Sequence, residues 1–209
     1  YYTAQPGECI NYMSCHDNDT EWDRMLVTEA PASDADKQSA VKLGMSFVLM
    51  AQGVPFFNAG SEFARTKVPP TADYHNSNNN ADGMNKMDWA RRGTYNSLVS
   101  YYKGLLAVRK AHPMLRFSTW SDINANVTAT ETATGSNQFV YKVAKGTSTD
   151  PASNIVVLFN CNTAAKSFTL PAGSWTLIAD GASAGDTAIG SAKTGTVSVP
   201  AYTAYILKN

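Results

Sequence analysis

Two short apolar runs, INYMSC and VPFF, each give out into polar and turn residues, HDND after the first and NAG after the second. Cys9 to Cys15 is too brief for a helix and reads as a buried strand, and Val54, Phe56 and Phe57 form a second short apolar strand, closed by Asn58, Ala59 and Gly60. Between them, Ser33 and Asp36 form an S-x-x-D helix start. Val41, Met45, Phe47, Val48, Leu49 and Met50 then make a broadly apolar helix that stops at Gly53. Strand, polar loop, helix, strand and loop follow one another as in a parallel α/β fold.

A different texture follows. From Arg65 to Asp88 runs a long segment with two prolines and the cluster HNSNNNADG, without apolar periodicity, and loops of that length are functional or disordered. Helical spacing resumes over Tyr95 to Ala111, where Leu98, Tyr101, Leu105 and Val108 recur, Arg109 and Lys110 sit in the last turn, and Pro113 lies beyond. Charge then thins: 24 charged residues fall in positions 1–120 and 10 in the remaining 89, where Thr, Ser, Ala and Gly dominate. That shift predicts a boundary near Ser118 to Asn126, with segments 1–117 and 118–209 as two domains. QFVYKVAK, NIVVLFNC, SFTL, SWTLIA, TVSV and TAYIL read as short strands with turn residues between them, predicting an antiparallel β-sandwich.

Seventeen acidic and seventeen basic residues give no net charge, so no large single-sign field argues for nucleic acid or an anionic membrane surface. A neutral, hydroxyl-bearing partner fits better. No apolar run approaches the roughly 18 to 20 residues that span a bilayer, and YYTAQPGE lacks the basic start and apolar core of a signal peptide. Cys9, Cys15 and Cys161 have no CxxC spacing and suggest neither a disulfide framework nor a zinc finger. No phosphate loop, nucleotide fingerprint or repeat occurs.

Successive strand side chains point to opposite faces, so His16 and Asp17 can share a ligand only where the chain is already turning. At the C-terminal end of a parallel barrel strand that geometry builds active sites. The plainer use of the same pair is to cap a strand end. A metal site from Cys15, His16 and Asp17 is disfavoured, because adjacent strand residues diverge. Glu62 in NAGSEF is read as a supporting carboxylate behind a site, and as a catalytic acid only second. Amides in the Asn-rich loop both donate and accept, which suits sugar hydroxyls. Trp22 and Trp89 could face sugar rings, with core packing the simpler reading of each.

INYMSCHDNDTEWDRM, AQGVPFFNAGSEFARTK, HNSNNNADGMNKMDWARR and YYKGLLAVRKAHPMLR, in that order from Ile10 to Arg116, resemble the end of the catalytic barrel of type I pullulanases, α-1,6 debranching enzymes of the α-amylase superfamily. The Ser- and Thr-rich remainder is similar in position and texture to that family's C-terminal β-sandwich. The resemblance implies that INYMSCHD and VPFFNAG are the seventh and eighth strands of a (β/α)8 TIM barrel, of which this chain would hold the last strands and helices. It also implies that Asp17 is the third catalytic carboxylate, a transition-state stabiliser, with His16 its substrate-binding neighbour. Arg65, Asn76, Asn79 and Asp82 match positions bordering the substrate cleft. Asn78 stands where the family commonly has Tyr, and Ser61 where it has Glu.

The implied activity is retaining cleavage of α-1,6-glucosidic bonds in pullulan, amylopectin or related branched α-glucans, with no cofactor required and a structural calcium in the parent enzyme left open. Such hydrolysis needs a carboxylate nucleophile and a general acid about 5 to 5.5 Å apart, which the family supplies from earlier strands. Those motifs are absent here, so the isolated chain is expected to be inactive and to need the rest of the barrel, whether upstream or as another chain. The alternative is a non-catalytic carbohydrate-binding or structural β-sandwich module. Substrates too large to cross a membrane, with the low-charge, Thr-rich second half, lean towards a secreted or surface enzyme of a bacterium.

Overall fold

In the computed structural model, which describes residues 3–67 and 74–209, β1 (Ile10–Asn11) pairs in parallel with β2 (Val54–Pro55), Ile10 opposite Val54 and Asn11 opposite Pro55. The crossover runs through α1 (Glu21–Thr28) and α2 (Asp34–Met50). Helix α2 begins as its sequence demands: the Ser33 hydroxyl accepts from the Asp36 amide at 3.1 Å and donates to the Asp36 carboxylate at 2.7 Å. Val41, Met45, Val48, Leu49 and Met50 are all buried, so the helix is covered on more than one side. Its last carbonyls are satisfied by a distant residue. Arg109 donates to Leu49 O at 2.8 Å, Ala51 O at 2.7 Å and Gly53 O at 2.7 Å, capping α2 rather than only its own helix, α5 (Asn96–Ala111).

Two expectations for this half need correction. The Cys9–Cys15 run is not a buried strand: only Ile10 and Asn11 pair, and Ile10 and Tyr12 are 61% and 57% exposed. Among the described residues β1 has β2 as its one strand neighbour, and Ile10 stays exposed beside α2, so apolar composition alone did not bury it. The polar loop between strand and helix contains α1, whose start is the Thr20 hydroxyl accepting from the Asp23 amide at 3.0 Å. The long loop holds a distorted 3-10 turn, Tyr74–Asn79, and two single turns, α3 (Asp82–Asn85) and α4 (Arg91–Thr94). Its prolines, Pro69 and Pro70, lie outside the described residues.

At the texture shift the chain forms α6 (Trp120–Asn126), capped by Thr119, and runs straight into β3 (Val127–Glu131); neither was apparent in the sequence. Then come β4 (Gln138–Ala144), β5 (Asn154–Asn160), β6 (Lys166–Thr169), β7 (Thr176–Ala179), β8 (Thr196–Val199) and β9 (Thr203–Lys208), matching the six apolar runs. A five-stranded antiparallel sheet, β3-β4-β5-β9-β7, faces a two-stranded one, β6-β8. Alternate residues of β5 go to opposite sides: Val156 and Leu158 join Phe168, Trp175, Val197 and Val199, while Ile155, Val157 and Phe159 join the helices. One hydrophobic cluster therefore runs from α2 and α5 into the large sheet, across the compositional boundary. Phe47 of α2 lies stacked on Phe159, ring centroids 3.8 Å apart.

A polar clasp closes the same junction. His112, buried just past α5, bonds Asp150 through Nδ1 at 2.8 Å and Asp186 through Nε2 at 2.9 Å, and Asp186 also pairs with Lys208. Asp150 further accepts from the Met114 and Ala152 amides, so its buried carboxylate is fully engaged.

Candidate functional site

The backbone after β1 turns at residues 16 to 18, with Asn18 in the left-handed region at φ 60°. That turn lets the side chains of His16 and Asp17 emerge together, 83% and 53% exposed, with Nε2 and Oδ2 3.4 Å apart. An exposed pair of this kind contributes little to stability, so its placement is not explained by folding. Asp17 lies on the wall of a cleft of about 280 Å³ shared with Tyr12, Ser14, Asn18 and Arg24. A second cavity, about 430 Å³ between α2 and β3–β5, is lined by Phe47, Met50, Phe139, Tyr141 and Phe159 and shares no residue with it. Its apolar walls give sugar hydroxyls little to bond.

The turn is held from below by the chain after β2. Asn58 donates to Cys15 O at 3.0 Å, and buried Lys67 donates through Nζ to His16 O and Asn18 O, both at 2.9 Å. Burial, and then the neighbouring Arg65 charge, lower the Lys67 ammonium pKa; Asp23, Asp17 and Asp19 oppose them. The Lys67 amide donates to Asp23 at 2.9 Å and the Thr66 hydroxyl bonds the same carboxylate. Thr20, the cap of α1, donates to Arg65 O at 2.7 Å, so α1 and the segment after β2 lock together behind the turn.

Arg65 turns its guanidinium to Asn85 O at 2.8 Å, and Asn85 donates to Ser77 O at 2.6 Å. By these two steps the His16–Asp17 turn is linked to the loop carrying Asn76, Asn79 and Asp82, which are all exposed. Gly60, at φ 97°, allows this course, since a Cβ there would come within 2.7 Å of the Arg65 stem. Glu62 bends back, its Oε2 accepting from the Gly60 amide at 3.0 Å. Ser61 donates to the buried Glu21 carboxylate at 2.6 Å, a contact that a second carboxylate at position 61 would turn into repulsion. Burial, with the Glu21 and Glu62 charges adding, pushes the Tyr102 hydroxyl well above the usual tyrosine range.

Lys67, Asn58 and Glu21 were not singled out from sequence. The signal for Lys67 was its place in ARTK, two residues after Arg65. Trp22 is core, edge-on to Tyr95 at 4.9 Å and covered by Arg91. Trp89 is not: it is 66% exposed, with its ring 5.5 Å from Phe63. Among the described residues, no three His, Cys, Asp or Glu side chains converge to hold an ion.

A family model described as alpha-1,6-glucosidases, pullulanase-type, C-terminal matches residues 85–209. A pullulanase of Bacillus subtilis (strain 168) is 39% identical over 123 residues, 59% of this chain and 17% of that protein. Among solved structures, the pullulanase from Bacillus acidopullulyticus superposes with a TM-score of 0.88 at 32% identity, covering 99% of this chain and 25% of that one. The pullulanase of Anoxybacillus sp. LM18-11 complexed with maltotetraose gives 0.85 at 26% identity, covering 99% and 28%. The chain thus spans less than a third of the length of each of these relatives.

Proposed function

The chain belongs to the pullulanase-type α-1,6-glucosidases, as a C-terminal portion, and on that premise we propose that it serves a retaining hydrolase that debranches α-glucans such as pullulan or amylopectin. In this reading β1 and β2 are the seventh and eighth strands of a (β/α)8 barrel, and the sheets after α6 are its C-terminal β-sandwich. The observation that carries the reading is the turn at the end of β1. It presents His16 and Asp17 side by side in the loop that follows a strand with a parallel neighbour, where barrel enzymes keep their active sites.

Asp17 accepts hydrogen bonds from hydroxyls of the glucose unit at the scissile bond, and His16 donates to one of them. As the ring flattens towards an oxocarbenium ion its hydroxyls become better donors, so the Asp17 bonds strengthen most in the transition state. Asp17 lowers the barrier without forming a bond to the sugar. Arg65, Asn76, Asn79 and Asp82 border the cleft, with Arg65 acting as its internal tie, and Glu62 plays a supporting part by holding the chain at Gly60 after β2. The maltotetraose bound by the Anoxybacillus relative supports a maltooligosaccharide as the ligand class. The nucleophile and general acid come from a part of the barrel that this chain does not supply, so these 209 residues alone release no sugar from pullulan.

The second half serves as a scaffold. The β5, β9 and β7 part of its large sheet is buried on both faces, and Trp175 is consumed in the core with its indole donating to Pro171 O at 2.9 Å, leaving little there for a separate sugar-binding face. The test is turnover of pullulan by the full-length enzyme carrying Asp17→Asn, which keeps shape and removes charge. A fall in kcat of about 10²-fold or more is expected, the scale of losing one transition-state contact. Unchanged turnover would remove Asp17 from the mechanism.

A further inference from the structure

We propose that Lys67 is a positioning residue for Asp17: one buried ammonium that grips the carbonyls of His16 and Asn18 and so fixes the turn between them. The proposal rests on the role given to Asp17 above. Three features set this lysine apart from an ordinary surface cation. It is 2% exposed, although a lysine side chain is rarely buried without a specific partner. Two of its bonds, both 2.9 Å, go to the residues immediately before and after Asp17, 51 and 49 positions away in sequence. And its own backbone is pinned, the Lys67 amide donating to Asp23 at 2.9 Å, so the ammonium is delivered from a fixed base.

The turn needs such a grip. Asn18 is in the left-handed region, where a non-glycine residue is strained, and the Asp17 side chain before it is half exposed. Charge-assisted bonds to carbonyls are about twice as strong as neutral ones, and two of them from a single point define the plane of the turn. The Asp17 carboxylate also lies close enough to attract the ammonium, so the group that fixes the backbone is itself drawn towards the side chain it positions. Without it the carboxylate would wander by an ångström or so, enough to lose the alignment on which transition-state bonding depends.

The test is a double-mutant cycle on pullulan hydrolysis by the full-length enzyme, combining Lys67→Met, which keeps the apolar stem, with Asp17→Asn. Lys67→Met is expected to lower kcat about 10²-fold with KM changed less than about threefold, and to lower it no further in the enzyme that already carries Asp17→Asn. Lys67→Gln, which retains one donor, is expected to recover part of the loss and decides the matter if the Met variant does not fold. Equal proportional losses of kcat with and without Asp17→Asn would mean that Lys67 serves folding alone and would overturn the proposal. So would a kcat within about twofold of the unaltered enzyme for Lys67→Met, or for Lys67→Gln where the Met variant does not fold. If Asp17→Asn by itself leaves turnover unchanged, it is the reading of Asp17 that fails, a result separable from the first two.

Discussion

The parallel pair β1–β2 and the antiparallel strand β5 are both built from apolar residues, yet they end in opposite surroundings. Ile10, Tyr12, Val54 and Phe56 are all exposed, whereas every residue from Ile155 to Asn160 is buried. The difference lies in what covers them. Strand β5 has β4 and β9 as neighbours, helices on one face and β6–β8 on the other, all supplied by this chain. Among the described residues the β1–β2 pair has no third strand beside it, and Ile10 and Val54 stay exposed. The half that carries the candidate site is therefore the less self-sufficient, and its polar turn is held by long-range hydrogen bonds rather than by packing.

The contrast can be broken most forcefully at the junction. His112→Ala would leave the buried Asp150 carboxylate without its ring partner, and we expect a loss of about 3 to 5 kcal/mol in urea unfolding of the chain. A loss below about 1 kcal/mol would mean that the halves are joined by packing alone. Next comes a paired substitution in the two strand types. Leu158→Ala should cost about 2 to 5 kcal/mol through the cavity it leaves, and Ile10→Ala no more than about 0.5 kcal/mol. Similar costs at both positions would show that β1 is covered in solution.

The smallest effect concerns acid. Burial raises the Asp186 carboxyl, but the hydrogen bonds from Lys208 and His112 outweigh it and hold the group below its ordinary value of 3.8. A lowered folded-state value means that the folded chain binds this proton less readily than the unfolded one. Its contribution is therefore present above pH 3.8 and is lost as pH falls through the folded value. Asp186→Asn should remove that contribution above about pH 5 and so flatten the acid limb, the variant and the unaltered chain converging as pH falls below the folded value; an unchanged limb would show that the clasp does not sense acid.

What the sequence made legible was whatever is written locally. The S-x-x-D start of α2, the spacing of Leu98, Tyr101, Leu105 and Val108 in α5, and the β-branched runs of β4 and β5 announce themselves within a few residues. Helices α1 and α6 carry the same kind of signal in Thr20 with Asp23 and Thr119 with Asp122. Those caps were missed because the helices they start are short, so that Trp22, Met25 and Leu26 of α1 do not stand out as a sustained period. Strand β3, VTATE at a sheet edge, alternates through Val127 and Ala129 alone, too little apolar bulk to mark a buried face. The site divides in the same way: His16 and Asp17 stand out where an apolar run ends, whereas the Lys67 contacts and the use of Arg109 to cap α2 span about half a hundred residues and leave no local trace. The exposed β1 was misjudged for a related reason, since apolar composition records that a surface is to be covered and is silent on what covers it.

The central claim is that Asp17 grips the transition state more tightly than the ground state. Its most direct measurement is calorimetric, comparing the full-length enzyme with its Asp17→Asn variant for two ligands: a maltooligosaccharide, and a cationic sugar mimic with a flattened ring. The mimic should lose about 10²-fold or more in affinity and the maltooligosaccharide less than about tenfold. Equal losses for the two ligands would show that Asp17 only binds sugar, and would contradict the claim.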